Sequence, residues 1–455
     1  PKKFSDLKIR VEGKEIKELK LERVTRGLTK AKKIVDEGIY EIPAIVYDVA
    51  KWGRWITERL KEDPDIRELY DEDVAVYIGT WEVKCPNTLC NKYTPLVGNW
   101  WLAKVKDKKY VYMKPKIEAS KICIEIVEGK GGEPSPNVRG KPELAECLLC
   151  GSRITYMDLK TGRIYRSKSE VKSKLIKDRL EFYPKYAVRD WNEKLEAYLE
   201  GRITLNELKN SKARPRLLVK VKIVNNDLKF EPCSEEDNEK LWKALEKLKQ
   251  IWKDPDIPTE PVPAYENRRI TPILGTDKWY QFFNPRQLLT LVKLVKLIRE
   301  VGKKVEEEKG KDYAEAITTY LAIALCKYVD YSSLVAGWNQ SLIMGHSLSM
   351  RGIAMMWNWD DMIPWASWTG TYLRNLNTLI DGLSYLASAI SSNPCRVRVL
   401  LDDATVLSRL KDEKFDVIVT DPPYRDDVPY VELSDFYYVW LKRALSDVSG
   451  GRLKP

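Results

Sequence analysis

The chain has 455 residues, 44% hydrophobic and 32% charged, which excludes a disordered or fibrous polypeptide and provides apolar side chain for about two to four domains. Lys and Arg outnumber Asp and Glu by 78 to 67, a formal charge of +11 that suits a polyanionic partner. No uninterrupted apolar run approaches a bilayer span and no signal-peptide core opens the sequence, so a cytoplasmic protein is expected, whose eight cysteines are not a disulfide framework.

Residues 1–75 are charged and mostly helical in pattern. Val46, Val49, Ala50, Trp52, Trp55, Ile56 and Leu60 make an apolar helix face that Asp63-Pro64 closes. Residues 76–155 read as a zinc ribbon. The strand-like run 74–84 leads into Cys85-Pro86-Asn87-Thr88-Leu89-Cys90, and the matching turn arrives as Cys147-Leu148-Leu149-Cys150-Gly151. Two close cysteine pairs on tight turns can present four thiolates tetrahedrally, and with His346 as the single histidine a closed zinc site here has to be almost entirely thiolate. Buried, unliganded cysteines are the other reading, and the isolated Cys123, Cys233, Cys326 and Cys395 are given it. Between the pairs, residues 100–116 alternate Lys with aromatics around a turn, a hairpin whose cationic face either contacts phosphate or is simply solvated.

Residues 156–275 are Lys- and Arg-rich and weakly periodic, with a helix at 235–252, and read as a basic α+β insertion that could lie along DNA. The last segment, 276–455, opens on a helix capped by Asn284 with Pro285 at its first position, followed by helices over about 311–329 and 371–390. The stretch Met355 to Trp368 holds four tryptophans and the Asp360-Asp361 pair, either walling a pocket or packing on a sheet. His346 has no evident partner and is given no role.

Residues 396–401 and the run Phe415 to Val419 read as two strands of a parallel α/β sheet joined by a short helical crossover, which puts Asp403 and Asp421 at one crevice edge. The second strand stops at Asp421-Pro422-Pro423-Tyr424. A residue before proline is driven out of the α region, so the backbone lifts off the strand end there. A carboxylate on Asp421 and the Pro422 carbonyl can each accept one N–H of an exocyclic amine and favour positive charge on that nitrogen, while Tyr424 stacks on the base. A duplex base has to be flipped to reach such a site. Asp403 is either an acceptor for a cofactor's adenine amine or a helix cap.

The two cysteine turns, Asn284-Pro285-Arg286-Gln287-Leu288, the Trp-rich stretch near 357, Asp421 to Tyr424 and the segment 428–443 together resemble the adenine-specific DNA methylases that carry a zinc ribbon. The resemblance covers nearly the whole chain. It implies an S-adenosylmethionine-dependent amino-methyltransferase acting on DNA, with Asp421, Pro422, Pro423 and Tyr424 catalytic, Asp403 cofactor-binding, and Cys85, Cys90, Cys147 and Cys150 on zinc. It also implies a Rossmann-like domain, of which this chain holds the C-terminal part of the sheet. The Gly-rich cofactor loop of that family has no counterpart here, so a fragment, or a subunit whose partner supplies the loop, is expected. An RNA or protein amino-methyltransferase and a non-catalytic zinc-ribbon partner for nucleic acid are the alternatives.

Overall fold

The computed structural model describes residues 4, 7–22, 34–140, 142–225, 227–263, 276–349, 352–353, 356–391, 398–411, 413–421 and 430–447. The chain folds as two units, Pro1–Lys51 with Asn377–Tyr430, and Trp52–Leu376 with Val431–Pro455. In the first, β1 (Lys8–Glu12) pairs antiparallel with β2 (Ile39–Pro43), a hairpin-like element in a segment expected to be mostly helical. The expected amphipathic helix is α1 (Ala44–Glu62), with Val46, Val49, Ala50, Trp52, Ile56 and Leu60 all buried and the Asp63 carboxylate accepting from the Asp65 N–H just beyond its end.

The second unit is built on β3 (Val74–Lys84), a β-branched and aromatic run of which every residue but the last is buried. After it come β4 (Tyr93–Pro95), then the ribbon β5 (Trp101–Val105), β6 (Lys109–Glu118) and β7 (Lys121–Glu128), which includes the hairpin expected at 100–116. A small sheet follows, β8 (Tyr156–Asp158), β9 (Ile164–Tyr165) and β10 (Leu180–Phe182), and then the helix α2 (Tyr183–Leu199). The central sheet is completed by β11 (Ala213–Val224), β12 (Asp227–Pro232) and, far along the chain, β13 (Asn358–Met362), in the order β12-β11-β3-β13 with β4 on the end of β3. The zinc-ribbon segment, the basic insertion and the C-terminal segment thus share one sheet.

The alternation in β11 that read as a basic insertion is the two-residue period of a core strand. Ala213, Leu217, Val219 and Val221 are buried, while Arg214 and Arg216 both pair with the buried Glu82, Lys220 with Asp237 at 3.1 Å, and Lys222 with Asp73 at 2.9 Å. These cations are spent within the protein. The helices α3 (Glu235–Gln250), α5 (Lys311–Tyr331) and α6 (Tyr372–Ser391) follow the expected spans closely, α4 (Pro285–Lys309) opens where expected with the Asn284 side chain accepting from the Gln287 N–H, and α7 (Tyr430–Ala444) follows without an expected span. Phe436 and Trp440 of α7 are buried against Phe283, the first ring stacked at 5.9 Å and the second edge-on at 5.3 Å.

Two sequence fragments that carry the resemblance meet inside this unit. Arg286 and Asp361 are both fully buried and joined at 2.9 Å, Asn284 donates to the same Asp361 oxygen at 3.0 Å, and Gln287 donates to the Asp360 carbonyl at 2.7 Å. The guanidinium lies 4.5 and 4.1 Å from the ring centres of Tyr70 and Tyr77. Burial opposes its charge most strongly, and the Asp361 carboxylate together with Tyr70 and Tyr77 keeps it ionised. Trp359, from the Trp-rich stretch, is core: its indole occupies the space above Gly79 on β3, where a Cβ would come within 2.2 Å of the ring.

The parallel sheet of a Rossmann-like domain is not found among the described residues, where every paired strand is antiparallel. Of the runs read as strands, the described residues 398–401 and 415–419 carry no strand hydrogen bonding, and Val399, Leu401 and Val419 are each at least 90% exposed. A strand of a parallel sheet needs a neighbour on each edge and cover on each face, and none of the described residues supplies them. The short crossover helix is a turn, in which Asp403 Oδ1 accepts from the Thr405 N–H at 2.8 Å and Asp402 Oδ2 from the Arg409 N–H at 2.7 Å.

Candidate metal centre

The cysteine turns are shaped before any metal is considered. In the first, the Asn87 carbonyl accepts from the Cys90 and Asn91 N–H groups, Asn91 takes a left-handed φ of 46°, and the turn closes through Cys85 N–H to the Lys92 carbonyl at 2.8 Å. In the second, Gly151 has φ 66°, its N–H reaching the Cys147 carbonyl at 2.8 Å; a glycine adopts this conformation at no steric cost. Asn87 Nδ2 bonds Ser152 Oγ at 3.1 Å and Thr94 Oγ1 accepts from the Leu148 N–H at 3.1 Å, so side chains from each turn hold the other.

This brings Cys85, Cys90, Cys147 and Cys150 together with all four sulfurs within 4.8 Å of one another. Cys85 stands 3.8 Å from Cys150 and Cys90 3.9 Å from Cys147. Four sulfurs about 2.3 Å from a tetrahedral zinc are about 3.8 Å apart, the spacing of these two pairs, so the set is compatible with the ion. The hydrogen bond from the Cys85 thiol pulls Cys147 down to about 5 against the effect of burial, with further support from the Cys150 and Leu149 N–H groups, while Cys85 is correspondingly raised. A bound cation is what allows all four thiols to ionise together. Four sulfur ligands leave no open position, which suits a structural zinc and not a catalytic one.

The other described cysteines stand apart from the cluster. Cys123, expected to be buried, is exposed on the edge of the ribbon, while burial raises the thiol of Cys326 to about 12 and that of Cys233 higher still. Cys395 lies outside the described residues.

Of the proposed methyl-transfer residues, Asp421 is exposed and has no hydrogen-bond or ion-pair partner among the described residues. Pro422, Pro423 and Tyr424 lie outside them. Asp403 is exposed as well, with Oδ1 taken by Thr405.

His346, given no role on sequence grounds, has partners in the structure. Its Nδ1 is 2.7 Å from Asp330 Oδ2, its Nε2 3.3 Å from Tyr331 Oη, and Tyr437 Oη donates to Asp330 Oδ1 at 2.9 Å. A carboxylate fixed by a tyrosine and orienting a half-exposed imidazole is an arrangement able to move a proton. Asp330 and His346 are 16 residues apart but Tyr437 is 107 residues from Asp330, so the signal in the sequence was the rarity of histidine.

Among the described residues no helix is long and apolar enough to cross a membrane. No family model matches the chain, and no solved structure matches it.

Proposed function

We propose that the chain is the target-base part of an S-adenosylmethionine-dependent DNA adenine amino-methyltransferase, with a zinc ribbon as a structural module. The observation that carries this reading is Asp421, an exposed carboxylate without a partner among the described residues, followed in sequence by Pro422-Pro423-Tyr424 and ending an apolar run. Asp421 and the Pro422 carbonyl accept the two N–H groups of the adenine amine, orient its nitrogen, and favour the positive charge that grows there as the new bond to carbon forms. Tyr424 stacks on the flipped base. S-adenosylmethionine, when bound, supplies the methyl group, and the free Oδ2 of Asp403 is the acceptor this chain offers to it.

The Rossmann-like sheet belongs to the same proposal. The exposed runs 399–401 and 417–419 have the composition of central strands, and a separate polypeptide segment or subunit bearing the Gly-rich loop is the partner that would cover them. Donor binding by these 455 residues alone is therefore expected to be weak, and tight calorimetric binding would contradict the split site.

The test is transfer of labelled methyl to duplex DNA, RNA and protein, with the Gly-rich half supplied. DNA labelling that falls about 100- to 1000-fold in Asp421→Ala supports the reading. Labelling of RNA or protein alone would move it to another substrate. DNA binding with no methyl transfer in the reconstituted complex would leave a non-catalytic zinc-ribbon partner, the reading to which the cysteine geometry is equally suited.

A further inference from the structure

We propose that the depression beside the second cysteine turn is a binding site for the phosphodiester backbone of a nucleic acid. This rests on the cations of that surface and does not require methyl transfer. The depression, about 980 Å³, is floored by the two cysteine turns and walled by the turn between β8 and β9, so that Arg153, Arg163 and Arg166 converge on it. All three are exposed, and none has an ion pair among the described residues. The single carboxylate in the lining, Glu170, accepts from the backbone N–H of Arg166 at 3.0 Å.

Other basic regions of the protein carry more internal neutralisation. A depression of similar size, about 1040 Å³, holds Lys249 and Lys253 beside Lys278, Lys442 and Arg443, and the last three are satisfied by Glu196 and Glu260 in the same lining. The cations of β11 are likewise paired. On the β5–β6 hairpin, Lys109 is held by Asp227 at 2.7 Å and Lys116 by Glu118 at 2.7 Å, whereas Lys104, Lys106, Lys108 and Lys114 have no ion pair among the described residues and make the hairpin the competing cationic surface.

The arginines also stand on a rigid base. Arg179 grips the buried Asp158 with two bonds, at 3.1 and 2.9 Å, which fixes β8 against the approach to β10. Tyr156, Val171 and Leu180 pack beneath, with Tyr165 and Ile176 against them. Arg163 lies over the ring of Tyr165 at 5.3 Å, which holds its planar fork outward. Guanidinium groups bind phosphate oxygens in pairs, and a row of them with no internal carboxylate partner is what a polyanion requires. A second depression, about 460 Å³, meets the first at Pro86 and Gly162 and carries on past Tyr186. Of its lysines, Lys194 and Lys212 pair with Asp190 at 3.0 and 3.6 Å, so this continuation offers Lys84, which has no ion pair among the described residues, and an aromatic ring.

Arg153 follows Cys150 closely and serves equally to balance the negative charge of a zinc tetrathiolate, so the test uses the other two arginines. The zinc-loaded full chain, its R163E/R166E variant and a K106E/K108E variant of the hairpin turn are titrated across a range of salt. The probes are fluorescein-labelled 20-base-pair DNA, single-stranded RNA of equal length, and polyglutamate. The proposal expects R163E/R166E to bind nucleic acid at least about tenfold more weakly, with a log–log salt slope shallower by roughly 2. Zinc content and circular dichroism stay unchanged, and K106E/K108E has a smaller effect. The stronger of the DNA and RNA arms identifies the source of the phosphodiester. An unchanged affinity in R163E/R166E, an equal loss in both variants, or polyglutamate bound more tightly than either nucleic acid would overturn it. Because no methyl transfer is measured, failure here leaves the proposed reaction standing, and the reverse also holds.

Discussion

The cysteine centre and the Asp421 segment are the two places where the sequence carries recognisable chemistry, and they differ in how much of their support lies in this chain. At the centre, turns 57 and 65 residues apart close on each other with their own hydrogen bonds, and the sulfurs stand at tetrahedral spacing. Around Asp421, strongly apolar residues face solvent and the carboxylate touches nothing described. A turn motif is satisfied by local geometry, whereas a strand motif is satisfied only by its neighbours.

The contrast can be broken most forcefully by removing the metal. Binding of structural zinc supplies roughly 10–16 kcal/mol in small zinc modules, so chelation or Cys147→Ser is expected to strip hydrogen-exchange protection from the amides of 85–95 and 145–158. Exchange at 413–421 stays as it was. Protection retained at both turns would mean that the cluster is an ordinary core.

Next in size is the buried pair on which the central sheet closes. Asp361→Ala leaves Arg286 charged and fully enclosed, and a loss of about 3–5 kcal/mol in urea unfolding is expected. Its neighbour Asp360 behaves in the opposite sense. Both of its oxygens are buried without a hydrogen-bond partner, and burial, then the charge of Asp361, raises its carboxyl well above the ordinary range. The folded protein thus keeps a proton that the unfolded chain releases near pH 3.9. Stability is fully present below that pH and declines as pH rises toward the folded value. Asp360→Asn abolishes the decline: its melting temperature, relative to wild type, is expected to improve between pH 4 and pH 8. A constant difference across that range would show that Asp360 titrates normally.

Smallest in stability is Asp421→Ala, expected to leave the urea midpoint unchanged because the side chain is exposed and unpartnered. A clear shift would reveal contacts that place the segment within the folded core.

Much of the framework was legible because its signals are local. Asn284-Pro285 announces α4, and the spacing of Val46 to Leu60 announces α1. The cysteine turns are readable for the same reason. What escaped was whatever depends on distant partners. Lys and Arg at alternate positions of β11 looked like a nucleic-acid surface until Glu82, Asp73 and Asp237 came beside them. Arg286 and Asp361 are 75 residues apart, and nothing in either fragment names the other. The run 415–419 has the composition of a buried strand, but composition cannot say whether a neighbouring strand is at hand.

X-ray absorption at the zinc edge of the full chain tests the cysteine centre most directly. One zinc per chain, with four sulfur scatterers at about 2.3 Å, is the expected result. A chain purified without stoichiometric zinc, or a coordination shell containing nitrogen or oxygen, would contradict it.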